Sequence, residues 1–140
     1  MSEKPKTLDW RDRFRQFEEV LNKLEHLASQ RTPSIGLLMK DFEDTYELGW
    51  KTVRDYLATK GIKLRKSTTT IKRGVREGLL EHRQAWDKLR KDRNIAIHSY
   101  GGNELYEEIA ERVMQTHLHT FQQLRRRFSE LADGQPPPVS

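Results

Sequence analysis

The stretch Asp41-Phe42-Glu43-Asp44-Thr45-Tyr46-Glu47-Leu48-Gly49-Trp50-Lys51-Thr52-Val53-Arg54-Asp55-Tyr56-Leu57 decides the fold class. Its bulky apolar residues Phe42, Tyr46, Trp50, Val53 and Leu57 recur three or four positions apart. That spacing lines one face of an α-helix, whereas a half-buried strand needs strict alternation. Toward the N-terminus, Ile35 and Leu38 continue the stripe; toward the C-terminus, the helix should run to about Lys60. Gly61 follows, a residue suited to the left-handed conformation that stops a helix.

The same period recurs on both sides, and no strand-like alternation is found. Trp10, Phe14, Phe17, Leu21, Leu24 and Ala28 predict a first helix from Asp9 to Ser29, with Asp9 as its N-cap. Arg31-Thr32-Pro33-Ser34 separates the two helices. Lys63 to Thr69 is basic, polar and β-branched, and reads as a mobile loop. A short helix is expected from about Thr70 to Leu80 and another from Glu81 to Ile97. Ser99-Tyr100-Gly101-Gly102 forms a turn. Asn103 can cap a last helix reaching Leu131, with Glu104, Glu107 and Glu108 in its first turns, where the helix dipole favours them. The expected architecture is all-α: an antiparallel four-helix bundle with an extra short helix. Its limits are a flexible N-terminus over 1–8, one helical domain over 9–131, and a disordered Pro-rich tail over 132–140.

Composition agrees with helices that bury a single stripe. Of the 140 residues, 34% are apolar and 34% charged, against usual shares of about 45–50% and 25%. There is no cysteine, so disulfides, thiolate metal sites and cysteine nucleophiles are excluded. No apolar run is long enough to cross a membrane and the first residues are polar, so a cytoplasmic location is expected. The net charge is +5, unevenly spread. Between Lys60 and His98, twelve Lys or Arg face four Asp or Glu, a local excess of +8, while the remainder sums to −3. Such a field attracts polyanions, nucleic acid first among them, although helical proteins also carry basic faces for solubility alone.

Phosphate-binding glycine loops are absent. His117 and His119 stand two apart on a helix, about 200° around its axis, and cannot chelate together. His117 lies on the stripe Tyr106, Ile109, Val113, His117, Thr120, Leu124, Phe128 and reads as a core or boundary histidine. No metal site is expected.

Trp86-Asp87-Lys88-Leu89-Arg90-Lys91-Asp92-Arg93-Asn94-Ile95-Ala96-Ile97-His98-Ser99-Tyr100 is the stretch with chemical content. The stripe runs Trp86, Leu89, Arg93, then Ala96 or Ile97, which places an arginine where an apolar residue belongs. A buried guanidinium needs a carboxylate, a phosphate or a wet cleft. His98 falls at the helix end, where the dipole favours imidazolium, and Tyr100 stands beside two glycines. Arginine can stabilise charge on a phosphate in transition, and histidine can move a proton on or off a ribose hydroxyl. The competing reading is a buried pair of Arg93 with an Asp or Glu, plus a helix-ending histidine. Positions five apart on a regular helix lie about 140° apart, so the helix must end or distort before His98, or two chains must contribute. Glu43 and Glu47 share a helix face and repel unless a cation sits between them. Arg93 could be that cation, or Glu47 could pair with Lys51; both glutamates are read as support rather than as catalysts.

Arg93-Asn94-x-x-x-His98-x-Tyr100 resembles the Arg-x-x-x-x-His signature of HEPN domains in its form ending His-x-Tyr. The segment 41–57 resembles the second-helix motif of one branch, the nucleotidyltransferase substrate-binding proteins. Arg76-Glu77-Gly78-Leu79-Leu80, followed by Trp86, fits its third and fourth helices. The resemblance spans about Trp10 to Leu124. It implies a helical bundle that forms a homodimer, encoded beside a minimal nucleotidyltransferase (MNT). In many such pairs the HEPN protein is a toxin that cleaves RNA without a metal or other cofactor, and the nucleotidyltransferase is its antitoxin. By that resemblance Arg93 stabilises the scissile phosphate, His98 is general acid or base, Asn94 orients the pair, and Tyr100 is the tyrosine that the antitoxin adenylylates. The alternative is a non-catalytic subunit that binds a nucleotide or other substrate for the nucleotidyltransferase.

Overall fold

The computed structural model describes residues 9–98 and 104–134. Six α-helices follow in order: α1 (Trp10–Ser29), α2 (Ile35–Thr59), α3 (Ser67–Arg76), α4 (Arg83–His98), α5 (Glu104–Arg112) and α6 (Leu118–Ala132). A π-helical turn, Val113–His117, joins α5 to α6, so the three form one rod. No strand occurs among the described residues. Asn103 and the turn 99–102 lie outside them, as do the expected flexible N-terminus 1–8 and the tail from 135 onward.

Aromatic contacts set the helix directions. Trp10, at the start of α1, meets Tyr56 near the end of α2 and Phe128 near the end of α6, at ring-centroid distances of 5.3 and 5.8 Å. Phe17 meets Phe121 at 6.2 Å, and Arg125 reaches back to Glu25 at 2.6 Å. Thus α1 runs antiparallel to both α2 and α6. Trp86 of α4 packs on Phe121 at 6.1 Å, while Asp92 reaches His117, so α4 opposes the last rod. The result is the expected up-down-up-down bundle of α1, α2, α4 and α5–α6, with α3 inserted in the α2–α4 connection. Phe17, Leu21, Leu24, Leu38, Phe42, Tyr46, Phe121 and Phe128 are fully or almost fully buried at its centre. Each such side chain contributes about 1.5–3 kcal/mol relative to leaving it in water.

The caps follow the sequence. Asp9 accepts the backbone N–H of Arg11, and Ser34 accepts that of Leu37 at the start of α2. Gly61 takes φ 79° after α2 ends.

The third helix departs from expectation. It begins at Ser67 and ends at Arg76 rather than spanning Thr70 to Leu80. Threonines favour caps and turns in isolation, but Thr70 and Ile71 bury against the bundle and draw the preceding turn into the helix. At the other end Gly78 adopts φ 77°, and the N–H groups of Leu79 and Leu80 both return to the Gly74 carbonyl, which terminates the helix early. Gly74 itself lets α3 lie close to α2: a Cβ there would stand 3.0 Å from Val53 and from Leu80. The fourth helix begins at Arg83, two residues later than expected, behind a left-handed His82 whose carbonyl accepts from Ala85 and Trp86.

Candidate phosphate-binding site

Arg93 sits half-buried in the groove between α4 and α2, its side chain 22% exposed. One guanidinium nitrogen donates to Glu47 Oε1, and another donates to Asn94 Oδ1 at 3.2 Å. The guanidinium lies over the Tyr46 ring, 5.2 Å from its centroid. Its Nε is buried and has no acceptor among the described residues. Glu47 also accepts from Trp50 Nε1 at 3.3 Å and pairs with Lys51 Nζ at 3.6 Å. Both sequence-level options for this glutamate are therefore realised at once. Burial pushes the Glu43 carboxyl above the usual carboxylate range, Arg93 opposes that shift, and Asp44 adds to it. Glu43 also acts on Tyr106, whose hydroxyl is raised first by burial and then by this carboxylate. Arg93, Asn94, Glu43 and Glu47 thus form one cluster on the α2–α4 face.

The core slot on α4 belongs to a different residue. The buried face runs Trp86, Leu89, Asp92, Ala96, and Asp92 is completely buried. Arg93, expected at that slot, stands one position round at the groove's edge. The substitution is possible because two residues of the neighbouring rod neutralise Asp92. Arg112 donates to both of its oxygens at 2.8 and 3.0 Å, and His117 Nε2 lies 2.7 Å from Oδ2. Lys88 approaches Oδ1 to 3.6 Å. Burial alone raises the Asp92 carboxyl, but the hydrogen bonds from Arg112 and His117 outweigh it and hold the group below its ordinary range. Burial lowers the His117 pKa, against the pull of Asp92. Its Nδ1 has no partner among the described residues, so a neutral ring donating through Nε2 fits the site. Phe42 stacks on that ring at 5.5 Å.

This Asp92–Arg112–His117 network is hidden from the sequence. The one available signal is a histidine on an apolar stripe, which implies a buried acceptor somewhere. The acceptor lies 25 residues away on another helix, and helical periodicity carries no information across that gap.

α4 continues through His98. Positions 93 and 98 are therefore separated by about 140° around one uninterrupted helix. Tyr100 lies outside the described residues. No group of three or more His, Asp or Glu side chains gathers into a metal-ligand set among the described residues. Nor is any of their helices long and apolar enough to cross a membrane.

Residues 8–130 match the family described as nucleotidyltransferase substrate binding protein like. The chain belongs to that family. Two solved structures show how members of such a fold are built. A protein from Thermus thermophilus is 25% identical and superposes with a TM-score of 0.71, covering 79% of this chain and 97% of that one. A tri-AMPylated Shewanella oneidensis HEPN toxin, solved in complex with its MNT antitoxin, is 16% identical with a TM-score of 0.68, covering 89% of this chain and 98% of that one. The bundle of this substrate-binding-protein-like chain is thus HEPN-like, as its motifs implied. Among curated proteins, none matches it by sequence.

Proposed function

We propose that this protein is a HEPN ribonuclease toxin whose partner is a minimal nucleotidyltransferase antitoxin. The observation that carries the reading is Arg93. It is held against α2 by Glu47 and Tyr46, five residues before His98, inside the Arg-Asn-x-x-x-His-x-Tyr motif. In the proposed reaction the ribose 2′-hydroxyl attacks the adjacent phosphorus, the 5′-oxygen leaves, and a 2′,3′-cyclic phosphate forms. His98 takes the proton from the 2′-hydroxyl or delivers one to the leaving oxygen, and Arg93 stabilises the charge that gathers on the phosphoryl oxygens. No metal step is needed.

Because α4 runs through position 98, positions 93 and 98 lie about 140° apart around one helix. A homodimer in which two motifs meet across the interface removes that obstacle. The HEPN relative is named as AMPylated and as bound to an antitoxin. By analogy, the Tyr100 hydroxyl here attacks the α-phosphate of ATP on the partner enzyme and pyrophosphate leaves. The bound adenylate then brings negative charge to the cleft that RNA would enter.

Expression of the chain alone should arrest growth, and His98→Ala or Arg93→Ala should abolish the arrest. Purified protein should cleave RNA in the presence of a metal chelator, and either variant should fail to do so. The family's own description favours a second reading, a substrate-binding subunit without catalysis. It predicts a chain that is harmless alone and changes the partner's turnover instead; full cleavage by the Arg93→Ala protein would overturn the mechanism assigned to Arg93 and His98.

A further inference from the structure

We infer that the hollow between α3 and α4 is a second phosphate-binding subsite, which takes the backbone of single-stranded RNA flanking the scissile position. The inference rests on the ribonuclease reading for its ligand, but its geometry stands apart from Arg93. The hollow has a volume of about 330 Å³ and is lined by Thr68, Lys72, Arg83, Asp87, Arg90 and Lys91, among others. Four cations therefore face one carboxylate. Ile71 gives it part of an apolar floor. A neighbouring hollow of about 370 Å³ shares Thr69, Lys72 and Arg83 with it and extends the basic surface along α3.

The gathering of unpaired cations on one concavity distinguishes this surface from an ordinary solvated face. Several cations elsewhere are matched: Arg13 with Asp55, Arg125 with Glu25, Arg112 with Asp92, and Arg93 with Glu47. Lys72, Arg90 and Lys91 have no ion pair among the described residues, and Asp87 is engaged only by Arg83 at 4.0 Å. Unpaired cations converging on a concavity create a field that an extended polyanion neutralises with release of counterions.

Tyr46 borders the Arg93 site. Its ring supports the Arg93 guanidinium, and its side chain is completely buried. The hydroxyl has no hydrogen-bond partner among the described residues. Arg90 connects the two sites: it stands one turn before Arg93 on α4 and lines the hollow. A strand with one phosphate at Arg93 can thus place neighbouring phosphates along Arg90, Lys91 and Lys72. The ligand class follows from the shape. A flexible single strand can follow an open groove of spaced point charges, where phosphate contacts position the chain without reading its bases.

The test uses a fluorescein-labelled 20-nucleotide single-stranded RNA and full-length protein carrying His98→Ala, so that binding is read without cleavage. Anisotropy titrations across a salt series compare this parent with Lys72→Ala/Lys91→Ala, two exposed positions. A control, Lys23→Ala/Lys40→Ala, removes the same charge from the α1–α2 side. The groove variant should bind at least tenfold more weakly, with a log–log salt dependence shallower by about 1.4, since each lost contact to a single strand accounts for about 0.7. The control should stay within twofold of the parent. Unchanged binding by the groove variant, an equal loss in the control, or no RNA binding by the parent would each overturn the subsite. Cleavage by proteins retaining His98 separates the two readings. If none of them cuts RNA but the groove variant still loses binding, the ribonuclease reading fails and the subsite stands. If the groove variant cuts at the normal rate once protein is saturating, both stand.

Discussion

At the scale of single residues, adjacent positions on α4 have opposite tasks. Asp92 is a structural anion, fully enclosed and matched by Arg112 and His117. Removing one member of such a buried set leaves the others uncompensated. Asp92→Ala should therefore cost about 3–5 kcal/mol, seen as a lower denaturation midpoint in urea at unchanged slope. The pH dependence follows from His117. Its folded pKa lies below the unfolded value because burial disfavours the charged ring. Its contribution is complete above the unfolded pKa of about 6.5 and is lost as pH falls from there through the folded pKa. The melting temperature should drop between pH 7.5 and 5.5, and His117→Gln, which can still donate to Asp92, should flatten that drop. Arg93 next door is aimed by Glu47 and Tyr46. Glu47→Gln keeps the shape but weakens the charge-assisted bond. It should lower RNA cleavage by about tenfold or more through misplacement of the guanidinium, with little change in melting temperature; an unaltered rate would show that Glu47 does not aim Arg93.

At the scale of elements, the π turn is the feature with the clearest consequence. Arg112 and His117 are five apart, yet both reach Asp92. In a regular helix they would diverge by about 140°; the turn accommodates one additional residue and brings them to the same side. Deleting an exposed residue inside it, Gln115, should relax the turn to α-helix while leaving Arg112 and His117 four apart and still aligned. That deletion should fold with a helical signal and a melting temperature near the parent's. Deleting Arg126 from α6 should instead rotate Phe128 and Leu131 out of the core and destabilise the chain severely. Comparable melts for the two deletions would refute this account. The turn is invisible in the sequence because Val113, His117, Thr120 and Leu124 keep ordinary three- and four-residue spacing across it. The third helix departs from its expected span for a related reason. Its threonines have weak local preference for helix, and the burial of Thr70 and Ile71 overrides it.

At the scale of the whole molecule, the proposed function has a testable consequence for a site shared between two copies. If each site takes Arg93 from one chain and His98 from the other, two inactive variants can complement each other. Mixing Arg93→Ala with His98→Ala protein and allowing exchange would make half the dimers mixed, each with one intact site. Roughly a quarter of the parent activity should return. A mixture as inactive as its components would place both groups on one chain and discard the shared site. Sedimentation of the unmixed protein checks the premise directly.

What the sequence determined by itself is the helical class, the order and direction of the long helices, and their aromatic core. Each of these depends on spacing within one helix or on a motif read along the chain, and local periodicity reports such relations directly. The tertiary structure alone decided which α4 residue fills the core, where α3 begins, how the last rod absorbs its extra residue, and that unpaired cations converge between α3 and α4. Those features depend on charges and volumes contributed by other helices. An aspartate can occupy an apolar slot when an arginine and a histidine reach it from across the bundle, and no periodicity along α4 records their approach.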